Sequence, residues 1–177
     1  MRYSGADYSK IPEVIQKVIT SNTVDVETQN NYTGEKTVSK KIKKGLFLFG
    51  NTGSGKTYTL HAIATKVGRR KVENWVELLF ELKGKFEVRD GVSTLIDDLT
   101  SQQYIFLDDI GAEKQSEWSQ EMLYLIINRA YNYNKTLFIS TNLDDKEFIA
   151  KYGDRIFDRI RHFCSLVKMP KKNYREE

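Results

Sequence analysis

Residues 50–57 read Gly50-Asn51-Thr52-Gly53-Ser54-Gly55-Lys56-Thr57. They meet the phosphate-loop pattern G-x-x-x-x-G-K-S/T at every fixed position. Each residue type has a physical reason to be there. Glycines let the backbone turn tightly and approach a phosphate with no Cβ in the way. The backbone N–H groups, and the helix that starts at 55–57, then face the anion. Lys56 brings a cation to the β- and γ-phosphates, and the Thr57 hydroxyl is a hard oxygen ligand for Mg²⁺. The expected binding set for ATP and Mg²⁺ is therefore Gly50, Asn51, Thr52, Gly53, Ser54, Gly55, Lys56, Thr57 and the following Tyr58. An apolar run at 46–49 precedes the loop and a helical stretch at 57–67 follows it. That is the strand–loop–helix context the motif needs.

About fifty residues on, Tyr104-Ile105-Phe106-Leu107-Asp108-Asp109-Ile110-Gly111 places two carboxylates where a buried strand emerges. Buried acids without partners cost several kcal/mol, so the pair points to a cation site. Asp108 is expected in the Mg²⁺ shell, and Asp109 is expected to orient or deprotonate an attacking water. The plainer alternative is a loop or helix cap. A second acidic pair, Asp97 and Asp98, has no apolar run directly ahead and reads as surface charge.

A third strand, Thr136-Leu137-Phe138-Ile139-Ser140, ends in Thr141-Asn142. Beside the acidic strand, the Asn142 amide is placed to bond a γ-phosphate or its attacking water, although Asn also favours turns. In Gly153-Asp154-Arg155-Ile156-Phe157-Asp158-Arg159-Ile160 the two arginines are four apart and share a helix face. They read either as partners of Asp154 and Asp158 or as a catalytic arginine finger, a group worth about 10³ or more in rate. A finger acting on a neighbouring copy requires oligomerisation.

Around these motifs the chain alternates apolar runs (46–49, 72–75, 104–107, 136–140, 163–167) with helical patterns (57–67, 76–86, 115–133, 144–151). The runs lack clean alternation, as strands covered on both faces do. Strand–helix repetition predicts an α/β fold with a parallel sheet and helices on both faces, with ligands at the carboxyl ends of the strands. Residues 1–44 differ. Pro12 opens a short helix at 13–20, and 21–44 is polar and reads as an irregular arm, with room for a short strand. This segment is a possible partner- or DNA-contacting arm ahead of a core at 45–177.

The 177 residues are 40% hydrophobic with a net charge of +4, which suits one globular domain and permits nucleic-acid contact without demanding it. Two basic clusters are sharper: Lys36, Lys40, Lys41, Lys43 and Lys44, then Lys168, Lys171, Lys172 and Arg175. They are solvated surface or phosphate-backbone contacts. No spanning helix or secretory leader is visible, so no membrane partner and a cytoplasmic location are expected. The single cysteine, Cys164, excludes an internal disulfide and reads as a small buried hydrophobe. His61 and His162 read as structural or surface residues.

The stretches Asp108-Asp109-Ile110-Gly111-Ala112-Glu113, Ser116-Glu117-Trp118, Leu125-Ile126-Ile127-Asn128-Arg129-Ala130-Tyr131, Ser140-Thr141-Asn142-Leu143 and 153–160 together resemble the AAA+ ATPases of the DnaC helicase-loader and IstB transposition-helper group. The resemblance spans about residues 45–175. It implies a three-layer αβα P-loop core with a five-stranded, mostly parallel sheet and no helical lid. It implies Walker A roles for Gly50, Gly55, Lys56 and Thr57, and Walker B roles for Asp108 and Asp109, with Asp109 where many AAA+ proteins carry Glu. Asn142 matches sensor 1, Arg159 the arginine finger with Arg155 a turn before it, and Arg175 a sensor-2-like arginine after Tyr174. It further implies ATP hydrolysis, a homo-oligomer in the ATP state, single-stranded DNA, and a replicative helicase as partner. A transposase helper and a weakly catalytic ATP-dependent oligomerisation switch are the alternatives. The adjacent acids and the arginine helix argue against a P-loop kinase.

Overall fold

The computed structural model describes residues 5–30, 32–68 and 71–170. A 3-10 turn at Tyr8–Lys10 precedes α1 (Glu13–Ser21), β1 (Thr23–Gln29), β2 (Lys36–Ile42), β3 (Gly45–Phe49) and α2 (Lys56–Lys66). Then come β4 (Glu73–Asn74), α3 (Trp75–Gly84), α4 (Gly91–Ser101), β5 (Tyr104–Ile110) and α5 (Glu117–Asn132). β6 (Thr136–Thr141), α6 (Asp145–Tyr152), α7 (Asp154–Phe163) and β7 (Cys164–Lys168) complete the chain.

β3 to β7 form one five-stranded sheet in the order β4-β5-β6-β3-β7, and every pairing is parallel. The three central strands are buried almost throughout and carry apolar runs in their middles, as the sequence predicts for strands covered on both faces. Alternation sorts their side chains. Phe47, Ile105, Leu107, Leu137 and Ile139 face a core shared with α3 to α7. Leu46, Leu48, Phe106 and Phe138 face a second core shared with α1 and α2. The result is helix layers on both sides of the sheet, the αβα sandwich. Phe106 and Phe138 stack with centroids 4.6 Å apart, fastening β5 to β6 just below the acidic end.

Local chemistry sets the boundaries. The Asn74 side chain accepts from the Glu77 N–H at 3.1 Å, so the helix begins at Trp75 and β4 shrinks to two residues where the apolar run 72–75 suggested a full strand. The Ser116 hydroxyl caps α5 in the same way. Asp144 and Glu147 form a reciprocal capping box at α6. Gly45 lies so close to β6 that a Cβ there would sit 1.7 Å from the Leu137 carbonyl oxygen.

The helix expected at 13–20 forms as α1, and the irregular arm expected at 21–44 is instead largely an antiparallel hairpin. α1 buries Ile15 and Ile19, four apart, in the second core with Ala6 and Ile11. Residues 23–42 form an antiparallel hairpin, Thr23 opposite Ile42 through Gln29 opposite Lys36. Both hairpin faces are largely exposed, and the only alternation, Val24-Asp25-Val26-Glu27, is short and has no apolar counterpart along most of β2. Among the described residues no helix is long and apolar enough to cross a membrane.

Candidate functional site

The loop between β3 and α2 ends on Gly55, which is left-handed (φ 85°) and is the N-cap of α2. A side chain there would be strained, and the turn aims the first N–H groups of the helix into the loop. Lys56 is buried, and its Nζ donates to the Gly50 carbonyl at 2.6 Å and the Asn51 carbonyl at 2.8 Å. The ammonium is thereby held inside the bowl made by its own loop. Ser54 Oγ is buried without a hydrogen-bond partner among the described residues. Tyr58 points away: its hydroxyl accepts from the Asp7 N–H at 3.0 Å and ties α2 to the amino-terminal segment.

Parallel pairing brings the ends of β5 and β6 beside this loop. Thr57 Oγ1 donates to Asp108 Oδ1 at 3.2 Å. The Ser140 hydroxyl donates to the same oxygen and accepts the Asp109 N–H at 3.0 Å. Asn142 Nδ2 donates to Asp109 Oδ1 at 2.8 Å. The β5–β6 register shifts between Leu107 and Ile110, and Asp109 is left-handed (φ 59°). This bulge interrupts the alternation of the strand, with Asp108 on Thr57 at the loop and Asp109 on Asn142 at the end of β6. Lys56, Thr57, Asp108, Asp109 and Asn142 thus occupy one corner of the molecule.

These residues fit Mg²⁺ and a triphosphate. Two cis oxygens in a Mg²⁺ octahedron of about 2.1 Å radius lie about 3.0 Å apart, near the Thr57–Asp108 separation of 3.2 Å. Among the described residues no cluster of three or more His, Cys, Asp or Glu could hold a metal. A Mg²⁺ ion completed by phosphate oxygens and water takes only a hydroxyl and a carboxylate from the protein. The orphaned Ser54 hydroxyl and the rim of loop N–H groups suit an anion. When bound, the metal supplies charge neutralisation at the phosphates.

His61, which the sequence marks as structural or surface, lies one turn after Thr57. It is half-buried; burial lowers its pKa from 6.5, and the Asp108 charge acts in the opposite sense. The four-residue spacing from Thr57 was the signal for its position.

A second group that sequence reasoning missed braces the exit of β5. Glu113 accepts from the Gly111 N–H at 3.1 Å and from the Tyr152 hydroxyl at 2.5 Å, and it pairs with Lys151 at 3.2 Å. Lys151 Nζ also donates to the Gly111 and Glu113 carbonyls, each at 2.7 Å. This ion pair is largely shielded from solvent, so the strand that carries Asp108 and Asp109 is locked to α6.

Arg155 and Arg159 do share one face of α7, opposite the buried Ile156, Phe157 and Ile160. Among the described residues neither pairs with Asp154 or Asp158. Both guanidinium groups lie over the Tyr124 ring of α5, 5.4 and 5.0 Å from its centroid. A ring face attracts a cation while leaving its N–H groups outward. α7 belongs to the layer on the other face of the sheet from α2. Asp97, read as surface charge, pairs with Arg129. Tyr174, Arg175, Lys171 and Lys172 lie outside the described residues.

The comparisons agree with this architecture. The chain is 24% identical over 149 residues to the replicative helicase loader DnaI of Bacillus subtilis (strain 168), covering 75% of this chain and 48% of that protein. It is 27% identical over 122 residues to the replicative helicase loader DnaC of Buchnera aphidicola subsp. Acyrthosiphon pisum (strain APS), covering 65% and 50%. It therefore spans about half the length of the curated relatives it matches. A crystal structure of the DnaC helicase loader superposes with a TM-score of 0.72 at 23% identity, over 96% of this chain and 99% of that one, which establishes a shared fold. The sequence profile of the IstB-like ATP binding proteins matches residues 35–177. With its phosphate loop, acidic strand end and five-stranded parallel sheet, the chain belongs to the IstB-like ATP binding protein family, an AAA+ P-loop group.

Proposed function

We propose that this chain binds ATP with Mg²⁺ and hydrolyses it, as the motor of a loader that places a replicative helicase on single-stranded DNA. The observation that carries the nucleotide reading is the contact of Thr57 with Asp108, because it joins the phosphate loop to the acidic strand end. In this reading Lys56 and the loop N–H groups hold the β- and γ-phosphates, and Thr57 and Asp108 hold the metal. Asp109 takes the proton of the attacking water, and Asn142 positions that water or the γ-phosphate. The helicase and the DNA are inferred from the loaders to which the chain is related.

In this reading Arg159, which rests on the Tyr124 ring of α5, serves a site on a neighbouring copy, and the ATP-bound state is an oligomer. Phosphate release measured over a range of protein concentration tests this, with and without single-stranded DNA. Specific activity that rises with concentration and drops about 10²-fold or more in Arg159→Ala, with ATP binding retained, is expected. Equal activity in the variant at every concentration removes the finger.

The match to the IstB-like profile favours one second reading, a helper that directs a transposase with the same core. Capture of a purified transposase, and not of a replicative helicase, would decide for it. Negligible turnover with tight ATP binding would instead mark an oligomerisation switch.

A further inference from the structure

The turn that leaves β5 carries Asp109, and its backbone is unusual. Asp109 (φ 59°) and Gly111 (φ 104°) both have positive φ, with one residue between them. A non-glycine residue holds such a conformation where its surroundings over-determine it. The polar groups of the turn can be followed one by one. The Asp109 N–H donates to the Ser140 hydroxyl at 3.0 Å, and the Asp109 carbonyl accepts from the Ala112 N–H at 3.3 Å. The Ile110 carbonyl accepts from the Thr141 hydroxyl at 2.6 Å. The Gly111 N–H donates to Glu113 at 3.1 Å, and the Gly111 carbonyl accepts from Lys151 at 2.7 Å.

Two clamps therefore hold the turn. One is the end of β6, through Ser140, Thr141 and the Asn142 amide on the Asp109 carboxylate. The other is Glu113 with the last turn of α6, and the hydrolytic roles given above leave it without a task.

The second clamp is directional. The Glu113 carboxylate takes the Gly111 N–H, the Tyr152 hydroxyl at 2.5 Å and the Lys151 ammonium at 3.2 Å. Lys151 in turn donates to the Gly111 and Glu113 carbonyls. The side chains of Lys151 and Glu113 are only 14% and 6% exposed. Both helix residues are themselves held. The Lys151 carbonyl accepts from the Gln120 amide of α5, and the Tyr152 ring packs on Phe148 with centroids 4.7 Å apart. A buried ion pair adds little net stability over apolar side chains of the same volume. What this one does supply is geometry, because it fixes one N–H and two carbonyls of a single turn. The turn has no slack on its far side: a Cβ on Gly111 would lie 2.7 Å from Leu143 Cδ1, in the residue after Asn142.

We propose that Glu113, held by Lys151 and Tyr152, is a positioning residue for ATP hydrolysis that fixes the turn from which the Asp109 carboxylate is aimed. This rests on the reading of Asp109 as the base. Asn142 sets the carboxylate end of Asp109, and Glu113 sets the backbone behind it. A misplacement of about 1 Å at a reacting group costs about 10²-fold in rate, so loosening the turn acts on turnover. ATP binding, which in that reading rests on the phosphate loop, Thr57 and Asp108, is left alone.

The test is phosphate release, ATP-analogue binding and thermal melting of the full chain in wild type, Glu113→Ala, Glu113→Gln, Tyr152→Phe, Asp109→Asn and the double variant Glu113→Ala/Asp109→Asn. Glu113→Ala leaves the Gly111 N–H without its acceptor and should lower kcat about 10- to 100-fold, with KM and analogue affinity within about threefold of wild type. Glu113→Gln keeps an oxygen for that N–H and an amide that the Tyr152 hydroxyl can accept, so it should recover kcat to within about fivefold of wild type. Tyr152→Phe keeps the ring and removes one donor, and should lower kcat about threefold or more. In the Asp109→Asn background, Glu113→Ala should reduce the residual release by less than about twofold, because its effect passes through Asp109. If Glu113→Ala fails to fold, Tyr152→Phe in the same background makes the same comparison. Wild-type kcat in Glu113→Ala and Tyr152→Phe overturns the proposal, whether or not the thermal midpoint falls. Losses that multiply fully in the double variant overturn it as well. Those results leave the base assignment standing if Asp109→Asn alone abolishes turnover, whereas wild-type turnover in Asp109→Asn removes the base and the positioning role together.

Discussion

The Asn142 amide donates to the Asp109 carboxylate at 2.8 Å and ties the end of β6 to the end of β5. Asp109 is also fixed by its N–H on Ser140 and by its left-handed backbone. The residue assigned to activate water is therefore aimed by its neighbours, and the amide that aims it is the one assigned to sense the γ-phosphate.

That coupling separates binding from turnover. Asp109→Asn keeps the shape and loses the base, and phosphate release should fall about 10²–10⁴-fold. Asn142→Ala removes one positioned donor, with an expected loss of about 10²–10³-fold. Both should bind an ATP analogue within about threefold of wild type, because in this reading binding rests on the phosphate loop, Thr57 and Asp108. Parallel loss of binding in Asn142→Ala would place the residue in the binding site proper.

Gly45 tests the packing that sets loop beside strand end. A Cβ would meet backbone, not a movable side chain, at 1.7 Å, so β3 and β6 must separate. Gly45→Ala should cost about 3 kcal/mol or more, beyond the usual range for point substitutions, and lower the thermal midpoint by several degrees. A variant that melts with wild type would show that β3 and β6 are not this close.

Stability at alkaline pH should fall in a definite way. Burial pushes the Cys164 thiol far above its ordinary 9.0, with Lys44 acting weakly in the other sense, and the thiol bonds the Leu137 carbonyl at 3.2 Å. The unfolded chain loses this proton near pH 9 while the folded chain keeps it. The folded state then binds the extra proton, and stability drops by about 1.4 kcal/mol per pH unit above that point. Above pH 10 Tyr152 adds to the slope, because burial and then its bond to Glu113 raise its hydroxyl as well. Urea melts at pH 8 and pH 10 should show a smaller loss for Cys164→Ala than for wild type. Equal losses would mean that the thiol titrates alike in both states.

Much of this was legible because its signals are local. The loop 50–57 carries its chemistry in consecutive residues, and the apolar runs at 104–107 and 136–140 announce strands covered on both faces. Asp108, Asp109 and Asn142 follow those runs directly, so their place at the strand ends was readable before the contacts were. The hairpin at 23–42 was hidden because its one alternating run, Val24-Asp25-Val26-Glu27, is short and its partner strand Lys36–Ile42 is mostly polar. The Glu113–Lys151–Tyr152 brace was hidden because its partners are nearly forty residues apart. The arginines had the right spacing, but nothing local says that Tyr124, about thirty residues earlier, lies under both.

The claim on which the rest stands is that Lys56, Thr57 and Asp108 form one magnesium–nucleotide site. Isothermal titration of a non-hydrolysable ATP analogue, with and without Mg²⁺, tests it most directly in wild type, Lys56→Ala and Asp108→Asn. Binding that strengthens with Mg²⁺ in wild type, weakens about a hundredfold in Lys56→Ala and loses its Mg²⁺ dependence in Asp108→Asn is the expected result. Wild-type affinity in Lys56→Ala, with Mg²⁺ dependence intact in Asp108→Asn, would contradict it.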